Sequence, residues 1–506
     1  MDFARIYERG KTAVVRLLVG DTLMAKTMRG GAWLGTGSIA EQAARFARNM
    51  LLARLLAPEA FGMMAIVLSS AALVDTVTDI GVWVAIIQNP RGGKEHYLNA
   101  FWWLGMGRAI LSYCIIFAMA PWIASFYGHT ELSGLLRVTL LGILFSAAIS
   151  PHAVLAQREM KFSRWAAITN GGGICGVILT VVLSFFVRDV WALAIGYCSE
   201  NVFRCVLSYA FYPTVPLLKC DWHAARDLLT FSRGMFGLAL LNLIIARADI
   251  FVLGRLYSSA ALGLYAMAVS LVRTPSVFFT NMLGQTLMPA LSSVQDDTER
   301  LNRILVELTS WLAVLGLPAA VFIYLSAPSL LRLAYGSRYA SAGGPLAFAS
   351  AVVLFTLVNA PLTCVLFTKA CPALHRQSVA INAAIMLAAI YPACRFQGPV
   401  GGQTAALLAV AAGYVFQLVR LRVVTGLHLL RYGAAFVLPA LASAMMLGIV
   451  LVSRRIGLTT WPMADIGLCL ATAVAAFAVC ASVHLRSFRR HESLYSRRTP
   501  ESAAAI

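Results

Sequence analysis

Charged side chains recur at helical spacing inside segments that are otherwise apolar. Glu41, Arg45 and Arg48 stand at positions i, i+4 and i+7, and Asp75 and Asp79 stand four residues apart in the next apolar segment. Each set therefore shares one face of a predicted helix. Arginines in such a place can hold an anionic group such as a phosphate. Carboxylates at bilayer depth usually face a water-filled cavity or one another.

A second set of charges lies in the latter half of the chain. Arg247 and Asp249 share one apolar segment, and Arg273 directly precedes Thr274-Pro275. A proline at this place is expected to kink the helix and to free backbone carbonyls. One alternative stays open, which is that neighbouring charges only neutralise each other as packing devices. That alternative pairs Glu41 with Arg45 and Arg247 with Asp249, and four acids here balance four arginines.

The elements that carry these charges are predicted to be membrane-spanning helices. Of 506 residues, 59% are hydrophobic and 12% are charged, and the mean hydropathy is +0.76. A soluble domain is about 45–50% apolar and about 25% charged. The chain is therefore an integral membrane protein, which excludes a peripheral enzyme and a soluble binding module. The net charge of +19 is assigned to loops that face anionic lipid, so no nucleic-acid partner is expected.

Apolar windows bounded by proline, glycine and charge clusters predict about fourteen spans of roughly 20 residues each. An even number of spans leaves both termini on the same side of the membrane. The spans lie near residues 31–55, 62–87, 100–120, 134–156, 166–187, 191–212, 229–254, 262–287, 303–327, 344–368, 377–394, 401–424, 433–453 and 462–484.

Lysine and arginine accumulate on alternate loops, which marks the cytoplasmic side of the membrane. They crowd the C-terminal tail 485–506 and are absent from the predicted outer loop 121–133. The N-terminal segment 1–30 is mixed polar and basic and lacks a signal-peptide pattern. Both termini are therefore predicted to be cytoplasmic.

The chain also contains a predicted internal repeat. A shift of 201 residues sets Leu52-Ala53-Arg54-Leu55 on Leu253-Gly254-Arg255-Leu256 and Gly62 on Gly263. Spans 1 and 2 then match spans 7 and 8, which start from the same side, so the repeat is parallel. The predicted segments are an N-terminal segment (1–30), a six-span N-lobe (31–212), a six-span C-lobe (229–424), two extra spans (433–484) and a basic tail (485–506).

The spans that carry buried charge are those that the repeat relates, namely spans 1, 2, 7 and 8. This coincidence predicts a polar cavity between the lobes, in which arginines can hold an anionic head group. The predicted substrate-binding residues are Arg45, Arg48, Arg247 and Arg273.

Motifs for other kinds of chemistry are absent from the sequence. There is no G-x-x-x-x-G-K-[ST] loop, and the cysteines have no C-x-x-C spacing, so neither a nucleotide, a metal nor another cofactor is expected. Gly172 and Gly176 form a G-x-x-x-G that predicts close helix packing. Several arginines near span ends are expected to snorkel toward the interface, and these are Arg108, Arg137, Arg204 and Arg233.

Three blocks of the sequence carry a family resemblance. They are Leu51 to Gly62 with Asp79-Ile80-Gly81, then Ala248 to Leu256 with Ala261 to Tyr265 and Arg273-Thr274-Pro275, and finally Leu287 to Ser292. In these blocks the chain resembles the polysaccharide transporter branch, the Wzx-type oligosaccharide flippases, of the multidrug/oligosaccharidyl-lipid/polysaccharide exporter superfamily. It departs from the family pattern where Tyr257-Ser258-Ser259 replaces the common Leu-Gly.

The resemblance implies a flippase, not an enzyme, that moves undecaprenyl-diphosphate-linked oligosaccharide across the bacterial inner membrane for O-antigen, capsule or exopolysaccharide assembly. It implies two six-helix lobes in a V shape, two further helices and alternating access. Its partners would be the lipid-linked oligosaccharide, membrane lipids, a polysaccharide polymerase and glycosyltransferases. The arginines would hold the diphosphate. Carboxylates would couple transport to a proton or sodium gradient, and these are Glu41, Asp75, Asp79 and Asp249.

Other functions stay open at this point. A related flippase would act on the peptidoglycan lipid precursor, and a related antiporter would export cations or drugs. The cavity arginines argue against an antiporter for cations. A membrane polysaccharide polymerase would carry a large outer loop, whereas the longest predicted outer loop here runs only from Pro328 to Gly343.

Overall fold

The part of the chain that the structure describes is mostly α-helical. Because hydrocarbon offers no partner for backbone N–H and C=O groups, a spanning segment must satisfy them internally, as an α-helix does. No strand occurs within the described ranges, which agrees with the predicted all-α class. The computed structural model describes residues 23–159, 161–214, 216–217, 221–232, 236–456 and 462–496.

Seventeen α-helices follow one another within these ranges. Those of the first half are α1 (Leu23–Leu55), α2 (Pro58–Thr78), α3 (Val82–Gln88), α4 (Glu95–Tyr127), α5 (Glu131–Ala147), α6 (Ala153–Arg158), α7 (Phe162–Phe186), α8 (Val190–Phe211) and α9 (Trp222–Ser232). Those of the second half are α10 (Phe236–Leu256), α11 (Ser259–Ser292), α12 (Thr298–Tyr335), α13 (Gly343–Thr368), α14 (Pro372–Gln397), α15 (Val400–Thr425), α16 (Leu429–Arg455) and α17 (Pro462–Ser496).

Eleven helices among the described residues are long and apolar enough to cross a membrane. The chain is therefore a multi-pass membrane protein, as its composition predicts. Each of the fourteen predicted spans overlaps a helix, but the count of fourteen is not confirmed. Helix α5 has only 17 residues, and α1 and α8 carry the charged side chains described below.

Two predicted spans are interrupted in the structure. The span predicted at 62–87 is divided between α2 and α3, where the side chain of Asp79 accepts a hydrogen bond from the backbone N–H of Gly81 at 2.9 Å. Gly81 has φ = 65°, a left-handed conformation that favours glycine. Asp79 thus lies outside the helix, which corrects its predicted place within the second span. The span predicted at 134–156 is divided between α5 and α6 around Ser150.

The described chain divides into two compact units. The first unit contains the described residues up to Leu243 together with Ser258–Gly263, and the second contains Ile244–Tyr257 and the described residues from Leu264 onward. In the second unit, α16 and α17 pack against α12. Their shared buried side chains include Leu325, Met446, Val450, Cys469 and Ala473.

Helix boundaries confirm the register of the predicted repeat. Helix α1 ends at Leu55 and α10 ends at Leu256, while α2 begins at Pro58 and α11 begins at Ser259. The two helix ends are 201 residues apart, and so are the two helix starts, which is the shift that aligns the two halves of the sequence. The two helical corners therefore correspond residue by residue.

The glycines that the repeat pairs, Gly62 and Gly263, make reciprocal close contacts within the first unit. A Cβ atom at Gly62 would overlap the carbonyl oxygen of Ser259, and one at Gly263 would overlap the carbonyl oxygen of Pro58. Pro58 and Ser259 are themselves paired by the repeat, so the two contacts are equivalent. Only a residue without a Cβ permits this approach.

Candidate functional site

A network of charged side chains lies inside the first unit. Glu41, Arg45 and Arg48 enter it from α1, and Glu200 and Arg204 enter it from α8. Arg45 Nη2 lies 2.8 Å from an oxygen of Glu41. Its Nη1 and Nη2 lie 3.0 Å and 2.6 Å from the two oxygens of Glu200. This bidentate contact is the stronger form of an arginine–carboxylate pair.

Two further guanidinium groups complete the network. Arg48 donates to Glu200 at 3.1 Å. Arg204 donates to Glu41 at 3.3 Å and to the carbonyl oxygen of Thr169 at 3.1 Å. The carboxylate side chains are 4% (Glu200) and 13% (Glu41) exposed, so their charges depend on these partners. In the network as described, three guanidinium groups face two carboxylates, which leaves an excess of one positive charge.

Glycines on α7 let the three helices approach closely enough for this network to form. A Cβ at Gly172 would lie 2.8 Å from the backbone nitrogen of Arg204, and one at Gly176 would lie 2.7 Å from the Cα of Glu200. A Cβ at Gly173 would overlap the carboxylate that α1 contributes. Gly172 and Gly176 both pack against α8, so the predicted packing role of the G-x-x-x-G motif is confirmed. Gly173, which lies between them, faces α1.

A cavity of about 290 Å³ lies beside the network in the same unit. Arg204 belongs to both, because its guanidinium group bonds to Glu41 and its side chain lines the cavity. Other polar groups on the cavity wall are Asp79, Arg108, Ser146, Thr169 and Asn201. An aromatic wall is formed by Trp83 with Phe101 and Trp165, whose ring centroids lie 5.7 Å and 5.4 Å from that of Trp83.

This combination of groups suits an anionic, hydroxyl-bearing ligand. Guanidinium groups bind phosphate oxygens, and amide, hydroxyl and carboxylate groups hydrogen-bond to hydroxyls. Aromatic faces supply the apolar contact that a mostly apolar binding cavity uses to fix a ligand. The cavity therefore offers both kinds of contact within one unit.

Arg108 and Arg204 were expected to snorkel, and the structure gives each of them an acidic partner within the first unit. Arg108 donates to the carboxylate of Asp75 at 2.7 Å, and Arg204 joins the network. Each arginine therefore has an acidic partner on another helix. The guanidinium group of Arg137 lies over an aromatic ring of α4, 4.2 Å from its centroid. Arg233 lies outside the described residues.

The second unit holds a separate buried polar group around Asp249. The hydroxyl of Tyr265 donates to Asp249 at 2.7 Å, and the amide of Gln403 donates to that hydroxyl at 2.6 Å. All three side chains are buried. Arg247 and Arg273 belong to the same unit and are half-buried.

The structure brings together only part of the predicted site. Glu41 and Arg45 form the ion pair that the packing alternative requires, and Arg48 joins them through Glu200. The substrate-binding and ion-coupling roles of these residues, and the cavity predicted between the lobes, stay predictions. Sequence reasoning missed Glu200, although a signal was present: Glu200 and Arg204 stand four residues apart within the predicted span 191–212.

Asn170 was also missed by sequence reasoning. With its amide nitrogen turned toward α1, Asn170 donates to Glu41 at 2.9 Å and accepts from the backbone N–H of Ser38 at 3.3 Å. An asparagine inside an apolar helix beside a glycine run is a signal for such a contact, because a polar side chain at bilayer depth needs a partner. Asn170 thus helps to orient the carboxylate of Glu41.

Comparison with known proteins agrees with this architecture. A family model described as "Polysaccharide biosynthesis protein" matches residues 51–343, more than half of the chain. The chain belongs to this family. The resemblance to polysaccharide transporters is thereby confirmed. The matched range contains the cavity and the α8 side of the network, whereas Glu41, Arg45 and Arg48 lie just before it.

Two relatives and one solved structure illustrate the similarity. The chain is 24% identical over 397 residues to the lipopolysaccharide biosynthesis protein WzxC of Escherichia coli K12, covering 78% of this chain and 79% of that protein. It is also 24% identical over 325 residues to the succinoglycan biosynthesis transport protein ExoT of Rhizobium meliloti 1021, covering 63% and 65%. The fold is similar to that of the lipid II flippase MurJ in its inward closed conformation, with a TM-score of 0.72, 14% identity and coverage of 90% and 99%.

Proposed function

We propose that this family member is a flippase that translocates undecaprenyl-diphosphate-linked oligosaccharide repeat units across the bacterial inner membrane. The product would serve exopolysaccharide, capsule or O-antigen biosynthesis. The observation that carries the proposal is the cavity of about 290 Å³ in which Arg108 and Arg204 meet an aromatic wall, beside a buried network with excess positive charge. Family membership, a relative named as a transport protein and a flippase fold support it.

The chemistry of such a substrate matches the cavity wall. The diphosphate is the part of a lipid-linked sugar that cannot cross hydrocarbon unaided, and guanidinium groups bind it with two parallel hydrogen bonds. Sugar hydroxyls would bond to Thr169 and Asn201, and the apolar faces of sugar rings would pack against Trp83 and Trp165. The polyprenyl tail would stay in the surrounding lipid.

The charge balance of the network favours binding of an anionic substrate by Arg204, which lies on the cavity wall. Glu41 receives hydrogen bonds from both Arg45 and Arg204, so it keeps one partner when Arg204 turns to a diphosphate. An uncompensated charge at bilayer depth is costly, and an anionic substrate compensates the excess positive charge. A ligand that neutralises the buried charge in one conformation lowers the free energy of that conformation and shifts the population toward it. Alternating access requires such a shift.

The other predicted site residues keep their proposed roles. Arg45, Arg48, Arg247 and Arg273 are proposed to contact or attract the anionic substrate during its passage. Ion coupling is proposed for the carboxylates, namely Glu41, Asp75, Asp79 and Asp249. Among these, the buried carboxylate of Asp249 accepts from the neutral hydroxyl of Tyr265, so taking up a proton would remove a charge from the protein interior.

The cellular setting follows from the same proposal. Both termini are proposed to be cytoplasmic, because lysine and arginine accumulate on the loops of that side. Glycosyltransferases would supply the lipid-linked repeat unit, and a polymerase would consume it after translocation. Reporter fusions that are active only in the cytoplasm test the orientation at each terminus, and activity at both termini is the expected result.

The direct test of function is deletion of the gene followed by lipid analysis of each leaflet. We expect completed lipid-linked repeat units to accumulate on the inner leaflet and the wild-type gene to restore outward transfer. Arg204→Ala should fail to restore transfer at normal abundance, whereas Arg338→Ala, a change at an exposed arginine, should restore it. Repeat units that reach the outer leaflet in the deletion strain would refute the proposal. Accumulation of the peptidoglycan precursor instead would favour the related flippase.

A further inference from the structure

The short helix α3 carries part of the wall of the cavity in the first unit. Val82 and Trp83 both line that cavity, and the ring of Trp83 packs against those of Phe101 and Trp165. The helix has only seven residues. Such a helix does not hold itself in place, since isolated helices below about 12–15 residues are only marginally stable. The position of Trp83 therefore depends on the contacts that fix α3.

The C-terminal end of α3 presents carbonyl oxygens that its own backbone does not pair. In a continuing helix the carbonyl of Ile86 would accept from the N–H of residue 90, but that residue is Pro90 and has no N–H. The next N–H, that of Arg91, donates instead to the side chain of Asn89 at 2.9 Å. Carbonyl groups at a helix C-terminus need another donor, and they attract a cation.

Arg158, the last residue of α6, supplies both the donor and the charge. Its Nη1 donates to the carbonyl oxygen of Asn89 at 2.8 Å and to that of Ile86 at 3.4 Å, and its Nη2 donates to that of Pro90 at 2.7 Å. A planar guanidinium group can serve several acceptors at once in this way. Gly92 leaves room for it, because a Cβ atom there would lie 2.6 Å from Nη1 of Arg158 and would overlap the carbonyl oxygen of Ile86.

Helix α6 also contacts α3 through an apolar side chain. Val154, one turn before Arg158, belongs to the same buried cluster as Val82 and Ile86. Val154 also lines the cavity. One helix therefore fixes both the end of α3, through hydrogen bonds, and its buried face, through packing.

We propose that Arg158 is a positioning residue for transport: it holds the end of α3 and thereby keeps the ring of Trp83 on the cavity wall. This inference rests on the proposed function, in which the apolar face of a sugar ring packs against Trp83. Arg158 is not among the described residues that line the cavity, so it acts on the substrate through α3. Without Arg158 the three carbonyl oxygens lose their shared donor, which favours conformations in which the end of α3 moves.

The first measurement is amide hydrogen exchange of α3, followed by mass spectrometry on the full-length protein in nanodiscs. Arg158→Ala should make the backbone amides of Val82–Gln88 exchange about tenfold faster, because the end of the helix opens more often. Arg158→Lys keeps the charge and some of the hydrogen bonds, so its exchange should be intermediate. The control Lys161→Ala removes a half-exposed cation that pairs with Glu159, and it should exchange like the wild type.

The second measurement is uptake of a lipid-linked repeat unit by proteoliposomes over a series of substrate concentrations. Arg158→Ala and Trp83→Ala should each raise the half-saturating concentration about tenfold and leave the maximal rate within about twofold, because both weaken binding and not translocation. The double variant Arg158→Ala/Trp83→Ala should show no further rise, since residues that act through one contact are not additive. A merely structural role would lower the folded yield or the maximal rate instead.

The two measurements also separate the ways in which the reasoning can fail. Unchanged exchange in Arg158→Ala would overturn the positioning role. A rise of about a hundredfold in the double variant would overturn it too, because Arg158 would then act independently of Trp83. If the wild type does not take up the lipid-linked unit, the proposed function fails together with the role of Trp83 toward a sugar, whereas the exchange result still shows whether Arg158 holds α3.

Discussion

Replacing Glu200 by alanine is expected to destabilise the protein strongly. The side chain is 4% exposed and binds Arg45 at 2.6 Å and Arg48 at 3.1 Å. Removing one partner of a buried ion pair costs about 3–5 kcal/mol, because the other charge is left buried and uncompensated. Here two guanidinium groups lose their shared carboxylate, and the excess of positive charge in the network rises from one to two. We therefore expect a loss near the upper end, about 4–5 kcal/mol.

The matched control is an equally short ion pair at the protein surface. Glu159 lies 2.6 Å from Lys161, and both side chains are about half exposed. Solvent screens such a pair, so Glu159→Ala should cost only about 0–1 kcal/mol. The two glutamates differ in burial and not in the distance to their partner. The difference between the two losses therefore measures the cost of uncompensated buried charge.

The assay is the free energy of unfolding of the detergent-purified protein, measured by titration with a denaturing detergent and followed by tryptophan fluorescence. The double variant Glu200→Gln/Arg48→Gln removes one charge of each sign and should recover a large part of the loss seen in Glu200→Ala. A loss in Glu200→Ala no greater than that in Glu159→Ala would show that the network is not what holds α1 to α8. The reasoning on buried charge would then be refuted.

Two further changes test other parts of the molecule. In Gly176→Val the new Cβ alone would lie 2.7 Å from the Cα of Glu200, and the two methyl groups would add to this overlap. The helices could then not pack as they do, so the folded yield by size-exclusion chromatography should fall to background. Gly448→Val, at a site with nothing within 4 Å of a Cβ, should keep the yield. Asp249→Asn keeps the size of the side chain and one of the two oxygens that accept from Tyr265 and from the backbone N–H of Ile250, so the variant should still fold, but transport in vesicles should no longer respond to a pH gradient. An unchanged response would exclude Asp249 from coupling.

The helices and the repeat were predictable because both depend on local properties of the chain. Hydropathy indicates where the chain is helical, since an apolar segment in a bilayer must satisfy its own backbone groups. The register of the repeat is visible as well, and Leu55 and Leu256 both end helices as the comparison predicts. The breaks at Asp79 and Ser150 were not predictable. An average over an apolar window conceals the three residues at the first break and the five at the second that leave the helix.

The candidate site was predictable only in part. Helical spacing placed Glu41, Arg45 and Arg48 on one face, because that spacing is a property of a single helix. It could not show that this face meets Glu200, which stands 155 residues away from Arg45 in the sequence. The same limit applies to Arg108, whose partner Asp75 lies on another helix.

The sequence by itself determined that charged side chains had to lie within membrane helices and that the helices repeat. Tertiary structure alone decided which charges meet. The reason is that the energy of a buried charge depends on its distance in space from other charges, and not on the number of residues between them in the sequence. Glycines on α7 bring α1 and α8 within that range, so the packing of small residues sets the electrostatics of the site.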